Sequence, residues 1–136
     1  MTRSYVLDSF AIIAFIRHQP GYLRVRALLE QAQLTQCQLY ISEINVGEVL
    51  YIIERAKGIS NAQRFLSTLM EAPVHLISAS FERIQAAAHL KAHHPIAYAD
   101  AFAAALTQEF KATLITGDPE FQSIQHLIRV EWLESG

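Results

Sequence analysis

The sequence has a single cysteine, Cys37, among 136 residues, and only four prolines and five glycines. One cysteine cannot form an internal disulfide, which favours a reducing compartment and predicts a cytoplasmic protein. No histidine lies in an evident partner motif for a catalytic thiol, so we expect Cys37 to be a small buried or edge residue. The sequence also contains no internal repeat, linker or low-complexity segment.

Long apolar runs are absent as well. The longest ones are short and interrupted, whereas a membrane-spanning helix needs about 20 consecutive apolar residues. Residues 1–4 lead directly into a predicted strand, so we expect no signal peptide. With 51% hydrophobic and 18% charged residues, the composition is typical of a soluble protein with a substantial core. We expect one domain over residues 1–136 that buries roughly two thirds of its unfolded surface.

Aspartate is scarce too, with only Asp8, Asp100 and Asp118 in the chain. Each lies beside an apolar element instead of in a solvated run of charge. Asp8 belongs to the stretch YVLDSFAIIAFI, in which strand-favouring residues lead into the acid and an apolar helical run follows. Ligands gather at the carboxyl ends of strands in open α/β sheets, which makes Asp8 a candidate site residue. Ser9 is the predicted helix N-cap, and the alternative role for Asp8 is to cap the same helix.

Short apolar strands alternate along the chain with helical segments of about ten or more residues. This alternation predicts an α/β fold in which helices flank a central, mainly parallel sheet of four to five short strands. The predicted strands span residues 5–7, 38–41, 74–77, 112–115 and 128–130. The predicted helices span residues 9–16, 22–33, 43–57, 60–70, 80–91 and 97–110, with a single helical turn at 120–123.

Four carboxylates are predicted to converge on one edge of this sheet. Asp8 and Asp118 follow the ends of the first and fourth predicted strands, and parallel strands end at the same edge. Asp100 lies in the first turn of an alanine-rich helix, where an acid also suits the helix dipole. Glu48 lies about two turns into its helix among apolar residues, a setting that an unpaired carboxylate avoids. The neighbouring Gly47 costs about 1 kcal/mol of helix stability relative to Ala, which suggests a close approach at this point.

Convergent carboxylates repel one another, by about 4 kcal/mol for a pair about 4 Å apart at an effective dielectric constant of about 20. Either one of them takes up a proton or a cation binds among them. A set of oxygen ligands without paired cysteine or histidine favours Mg²⁺ or Mn²⁺ over Zn²⁺. Sites of this kind orient a phosphodiester and activate water for attack on phosphorus.

Four segments resemble, in order and separation, the motifs of the PIN-domain family, and in particular those of the VapC-type toxins of bacterial and archaeal toxin–antitoxin pairs: YVLDSFAIIAFI, ISEINVGEVLY, IAYADAFAAALT and LITGDPEF. The resemblance spans nearly the whole chain. It implies a small α/β fold with a parallel sheet, and a divalent-metal-dependent endoribonuclease that hydrolyses RNA. It further implies an RNA substrate, a cognate antitoxin as protein partner and a homodimer.

Carried onto this sequence, the resemblance assigns the metal-binding and catalytic positions to four acids, Asp8, Glu48, Asp100 and Asp118. The three aspartates would hold Mg²⁺ or Mn²⁺ directly or through water. Glu48 would bind the metal or help to deprotonate the attacking water. Thr116 and Ser9 match small hydroxyl positions that would support the carboxylates.

Other interpretations of these residues stay open. Glu120 is a candidate accessory ligand, although a first-turn helix acid is the simpler interpretation. His93 and His94 are expected to be solvated loop residues in preference to substrate contacts. A phosphatase of the haloacid-dehalogenase type needs a second acid where Phe10 stands, and no P-loop is present. The remaining alternative is a catalytically silent PIN-like module that binds RNA or protein; the presence of all four acids favours the nuclease.

Overall fold

The computed structural model describes residues 2–134. Within this range the strands are β1 (Arg3–Leu7), β2 (Cys37–Ser42), β3 (His75–Ile77), β4 (Thr113–Thr116) and β5 (Arg129–Trp132). The α-helices are α1 (Ser9–Ile16), α2 (Tyr22–Gln33), α3 (Glu43–Lys57), α4 (Ile59–Glu71), α5 (Phe81–His93) and α6 (Tyr98–Glu109). A 3-10 helix (Pro119–Ile124) lies between β4 and β5. The predicted alternation of strands and helices is confirmed.

The strands form one sheet in the order β3-β2-β1-β4-β5, and every neighbouring pair is parallel. The chain builds outward from β1 to β2 and β3 on one side, and then returns to add β4 and β5 on the other. The carboxyl ends of β1 and β4 therefore lie at the point where the strand order reverses. In open α/β sheets a ligand crevice forms at this point.

Apolar side chains cover both faces of the sheet. In β1, Tyr5 and Leu7 belong to a buried cluster that includes side chains of α1, α2, α3 and α4. Val6, between them, belongs to a second cluster with α5 and α6 on the opposite face. This alternation follows from the two-residue period of a strand. It also explains why the last three residues of β1 are all apolar, as is typical of a parallel sheet covered on both sides.

Helix α6 packs directly on the sheet, against β1, β2 and β4. All of its residues from Asp100 to Thr107 are buried, and five of these eight are alanines or threonine. Small side chains let a helix axis lie close to the strands beneath it. The first turn of α6, with Asp100, is thereby held at the carboxyl edge of the sheet.

The ends of most elements differ from the sequence predictions by one or two residues, and two helix starts explain why. The predicted N-cap Ser9 is wrong, because Asp8 caps α1 and its Oδ1 accepts a hydrogen bond from the Ala11 amide at 2.8 Å. Helix α4 begins at Ile59 instead of Ser60. Gly58, with a φ of 88°, ends α3 and opens α4 in one residue, a conformation that glycine adopts without strain.

Cys37 is buried at the start of β2, where its Sγ donates a weak hydrogen bond to the Leu28 carbonyl oxygen at 3.5 Å. Burial raises the pKa of its thiol, which keeps the sulfur protonated and unreactive. The interpretation of Cys37 as a small buried residue is confirmed. Among residues 2–134, no helix combines the length and the apolar character needed to cross a bilayer.

Candidate functional site

An open cleft of about 340 Å³ lies at the carboxyl edge of the sheet. Its walls come from α1, α3, the N-terminal end of α6 and the start of the 3-10 helix. Four acids line it, Glu48, Asp100, Asp118 and Glu120, and within residues 2–134 no lysine or arginine does. The structure therefore brings three of the four predicted acids to one cleft. Asp8, the fourth, lies beside it at the end of β1, only 1% exposed.

Both oxygens of the Asp8 carboxyl group have donors. Oδ1 accepts from the Ala11 amide, and Oδ2 accepts from the Thr116 hydroxyl. Burial raises the pKa of Asp8 to about 7; the two hydrogen bonds oppose the shift, and the charges of Asp118 and Glu48 add to it. Asp8 therefore caps α1, as the alternative interpretation held, and it also interacts electrostatically with Asp118 and Glu48.

Thr116, the last residue of β4, connects the end of β1 with the turn that follows β4. Its hydroxyl donates to Asp8 and accepts from the Asp118 amide at 3.0 Å. Asp118 in turn caps the 3-10 helix, with its Oδ1 accepting from the Glu120 amide at 3.0 Å. One chain of hydrogen bonds thus fixes the turn that places Asp118 and Glu120 in the cleft.

Asp100, Asp118 and Glu120 form the tightest group of acids, with one carboxylate oxygen from each within 4.8 Å of the others. The Glu120 Oε1 also accepts from the Ala97 amide at 3.2 Å, which ties the 3-10 helix to the start of α6. Burial is the main cause that raises the pKa of Asp100 to about 8. A hydrogen bond with Glu120 and the charges of Asp118, Glu120 and Asp8 raise it further.

This donor set fits a hard divalent cation. All three close ligand atoms are carboxylate oxygens, which are the donors that Mg²⁺ and Mn²⁺ prefer. The raised pKa values of Asp8 and Asp100 have the cause expected of such a site, namely several acids placed together out of water. Over residues 2–134, neither Asp8 nor Glu48 contributes an oxygen to the close group of three.

Glu48 lies on the α3 wall of the cleft and is half-buried, so its carboxylate is not enclosed in the apolar core. The Tyr51 hydroxyl approaches its Oε2 at 3.5 Å. The idea that Gly47 allows a close approach within the fold is wrong. A Cβ built on Gly47 would meet no atom within 4 Å.

Two glycine substitutions are expected to change stability in opposite directions. Gly47→Ala should raise the free energy of unfolding by about 0.5–1 kcal/mol, because Gly47 is exposed inside α3 with open space around it. Gly117→Ala should lower it, because the new Cβ would lie 2.6 Å from Cζ of Phe10, a residue that lines the cleft. Urea denaturation of the two variants measures both effects. A stabilised Gly117→Ala variant would contradict the packing of Phe10 on this turn.

The remaining candidates lie outside the cleft or in its support. His93 is exposed, with its ring 4.9 Å from that of His89, and His94 lies against His126 at 6.2 Å. Neither lines the acidic cleft. The Ser9 hydroxyl does not contact a carboxylate in the part of the chain that the structure describes; it exchanges hydrogen bonds with Asn45.

Glu120 is a first-turn acid of the 3-10 helix, as expected, and it also belongs to the close group of acids; Asn45 was not considered from the sequence. The signal for Glu120 was its spacing, two residues after Asp118 in the turn. The signal for Asn45 was a lone polar residue on the apolar side of α3, three residues before Glu48. Neither signal specifies a tertiary partner.

Comparisons with known proteins agree with this fold. A family model described as PIN domain matches residues 5–127. VapBC2 from Rickettsia felis, solved bound to a DNA fragment from its promoter, is 20% identical, with a TM-score of 0.73 and coverage of 96% of this chain and 99% of that chain. A toxin–antitoxin complex from Klebsiella pneumoniae is 19% identical, with a TM-score of 0.65 and coverage of 93% and 95%. The sarcin-ricin loop cleaving toxin VapC20 of Mycobacterium tuberculosis is 14% identical, with a TM-score of 0.69 and coverage of 89% and 94%. No curated protein sequence matches the chain significantly.

Proposed function

Because this chain belongs to the PIN-domain family, we propose that it is a divalent-metal-dependent endoribonuclease that hydrolyses RNA phosphodiester bonds. The family consists of nucleases. The observation that carries the proposal is the group formed by Asp100, Asp118 and Glu120 in a cleft that no lysine or arginine of residues 2–134 lines, beside the buried Asp8. An acidic cleft repels a polyanionic substrate unless a cation neutralises it, which supports a metal-dependent reaction over metal-free acid–base cleavage.

The residues of the site would have different roles in the reaction. Asp100, Asp118 and Glu120 would hold Mg²⁺ or Mn²⁺, with Asp8 adding its charge from beside the cleft. When bound, such a cation polarises the phosphate and lowers the pKa of a coordinated water. Thr116 would keep Asp8 and the Asp118 turn in place through its two hydrogen bonds. Glu48 would accept the proton of the attacking water from the α3 wall of the cleft.

Cleavage of total cellular RNA by the purified protein tests the proposal. We expect cutting with Mg²⁺ or Mn²⁺, none with EDTA, and a loss of about 10–100-fold in cleavage for Asp8→Asn, the range typical of a residue that acts from outside the metal's ligand set. Asp8→Asn keeps the shape of the side chain that caps α1, so its circular dichroism spectrum should match that of the wild type. Retained cleavage by this variant would contradict the assignment of Asp8.

Calorimetric titration with Mn²⁺ separates the failures of that experiment. If the protein neither cuts RNA nor binds Mn²⁺, the nuclease proposal is wrong and a catalytically silent module that binds RNA or protein takes its place. If it binds Mn²⁺ without cutting total RNA, a panel of structured RNAs is tested next for cleavage. The sarcin-ricin loop, which VapC20 cleaves, is the first RNA of that panel.

We further propose that the protein is the toxin of a VapBC-type pair in the cytoplasm, with a cognate antitoxin as partner and a homodimer as its assembly. The likeness to the Klebsiella pneumoniae toxin–antitoxin complex supports the partner. An apolar groove of about 770 Å³ between α1, α3 and α4, with Ile16, Ile53 and Phe65 in its lining, offers a surface for a protein segment.

A further inference from the structure

Asn45 is a fully buried amide in the first turn of α3. Its Nδ2 donates to the Ser9 Oγ at 3.1 Å and to the Ala99 carbonyl oxygen at 3.3 Å. The Ser9 hydroxyl donates to the backbone carbonyl oxygen of Asn45 at 3.3 Å. These three hydrogen bonds join α1, α3 and α6 at a single point.

The contacts of Asn45 fall next to the acids of the cleft. Ser9 directly follows Asp8, and Ala99 directly precedes Asp100. Asn45 itself lies on the same helix as Glu48, three residues before it. The Asn45 side chain therefore connects the segments that carry three of the acids.

The orientation of the amide follows from its partners. A carbonyl oxygen such as that of Ala99 only accepts hydrogen bonds, so the NH₂ group has to face it. This leaves Oδ1 buried without a hydrogen-bond donor among residues 2–134. The amide is thus held by its two Nδ2 hydrogen bonds, one to α1 and one to α6.

We propose that Asn45 is a positioning residue of the metal site: by holding Ser9 and Ala99 on either side, it fixes the placement of Asp8 and Asp100 for a divalent cation. The inference rests on the proposed metal-dependent function. Loss of a partner that orients metal ligands typically weakens metal binding by about 10–100-fold, and this range is the expected effect.

Calorimetric titration with Mn²⁺ of the wild type, Asn45→Ala and Thr107→Val tests the proposal. Thr107 is the matched control, because it is 2% exposed, lies in α6 with Asp100, and donates a buried hydrogen bond to the Ala103 carbonyl oxygen at 2.8 Å. Its hydrogen bond stays within α6, and it is not among the residues that line the acidic cleft. We expect Asn45→Ala to bind Mn²⁺ at least about 10-fold more weakly, with Thr107→Val within about twofold of the wild type. Melting curves recorded without metal identify a temperature at which the wild type and both variants are folded, and the titrations are done at that temperature.

Each outcome has a distinct meaning. Wild-type Mn²⁺ affinity in a folded Asn45→Ala variant overturns the positioning role and leaves the metal site intact. Absence of Mn²⁺ binding in the wild type overturns the proposed function, and the role of Asn45 with it. If Asn45→Ala does not fold, Ser9→Ala takes its place, because it removes one partner and keeps the amide. A several-fold loss of Mn²⁺ affinity in Ser9→Ala supports the proposal, and unchanged affinity overturns it.

Discussion

Replacing Asp100 with Asn is expected to abolish Mn²⁺ binding and, at the same time, to raise the melting temperature of the metal-free protein at pH 8. The Asp100 side chain is 7% exposed, and burial together with Glu120 and the neighbouring charges raises its pKa to about 8. At pH 8 the metal-free site therefore holds a carboxylate that is close to taking up a proton. Asparagine has nearly the same shape, carries no charge and can donate a hydrogen bond to Glu120. The repulsion among the acids falls, and the site loses one of its charged carboxylate ligands.

Differential scanning calorimetry in EDTA and calorimetric titration with Mn²⁺ measure the two effects separately. We expect a rise in melting temperature on the order of 5 °C for each kcal/mol or so of relieved repulsion. Glu109→Gln is the matched control, because Glu109 is an acid of the same helix that pairs with Arg83 at 2.9 Å outside the cleft. This control should leave Mn²⁺ affinity unchanged and should not raise the melting temperature. An Asp100→Asn variant that melts below the wild type at pH 8 would contradict the account of the cleft as a destabilising cluster.

Loss of Mn²⁺ binding together with a gain in the stability of the metal-free protein distinguishes a functional acid from a structural one. An acid that serves only to cap a helix or to pair with a cation stabilises the fold, and its amide variant is less stable. Asp100 has no cationic partner in the cleft, and its neighbours are acids. A site of this kind lowers the stability of the ligand-free protein, and ligand binding restores that stability.

Much of the fold was predictable because its signals are local. The buried strands are apolar runs such as Tyr5–Leu7, and each of the first three strands is followed by a helical segment. The hydrophobic pattern alone therefore specified a parallel sheet. The start of α1 was not predictable, because Asp8 and Ser9 are equally good caps and only the tertiary position of each hydroxyl or carboxylate decides between them. Asp8 is the cap because Ser9 is bonded to Asn45, 36 residues away.

The candidate site also combines features that local sequence signals predict with features that depend on tertiary contacts. Asp8 and Asp118 were predictable as neighbours, because the ends of parallel strands meet at one edge. The proximity of Glu120 to Asp100 was not, since it depends on the 3-10 helix that begins at Pro119 and on the bond from the Ala97 amide. Asn45 gave the weakest signal, because its meaning lies in partners 36 and 54 residues away along the chain.

The metal-free protein is expected to lose stability as the pH rises from about 5 to about 8. The pKa values of Asp8 and Asp100 in the folded state are about 7 and about 8, both above the ordinary value of 3.8. Between the ordinary pKa of 3.8 and the raised pKa of each acid, the folded state binds more protons than the unfolded state. The free energy of unfolding therefore falls with rising pH. The contribution of each acid is fully present below about pH 4 and is lost as the pH passes through its folded pKa. Each acid contributes at most about 1.4 kcal/mol per pH unit.

Saturating Mn²⁺ is expected to flatten or reverse this dependence, because a bound cation replaces the protons as the neutralising charge and competes best when the acids are ionised. Urea midpoints at pH 5, 6, 7 and 8, in EDTA and in Mn²⁺, measure the two curves. The Asp100→Asn variant in EDTA should give a shallower slope than the wild type, which assigns part of the effect to this residue. A metal-free wild type whose stability stays constant or rises over this range would show that the buried acids remain ionised throughout. The closely grouped carboxylates would then have another source of compensation than a proton or a cation.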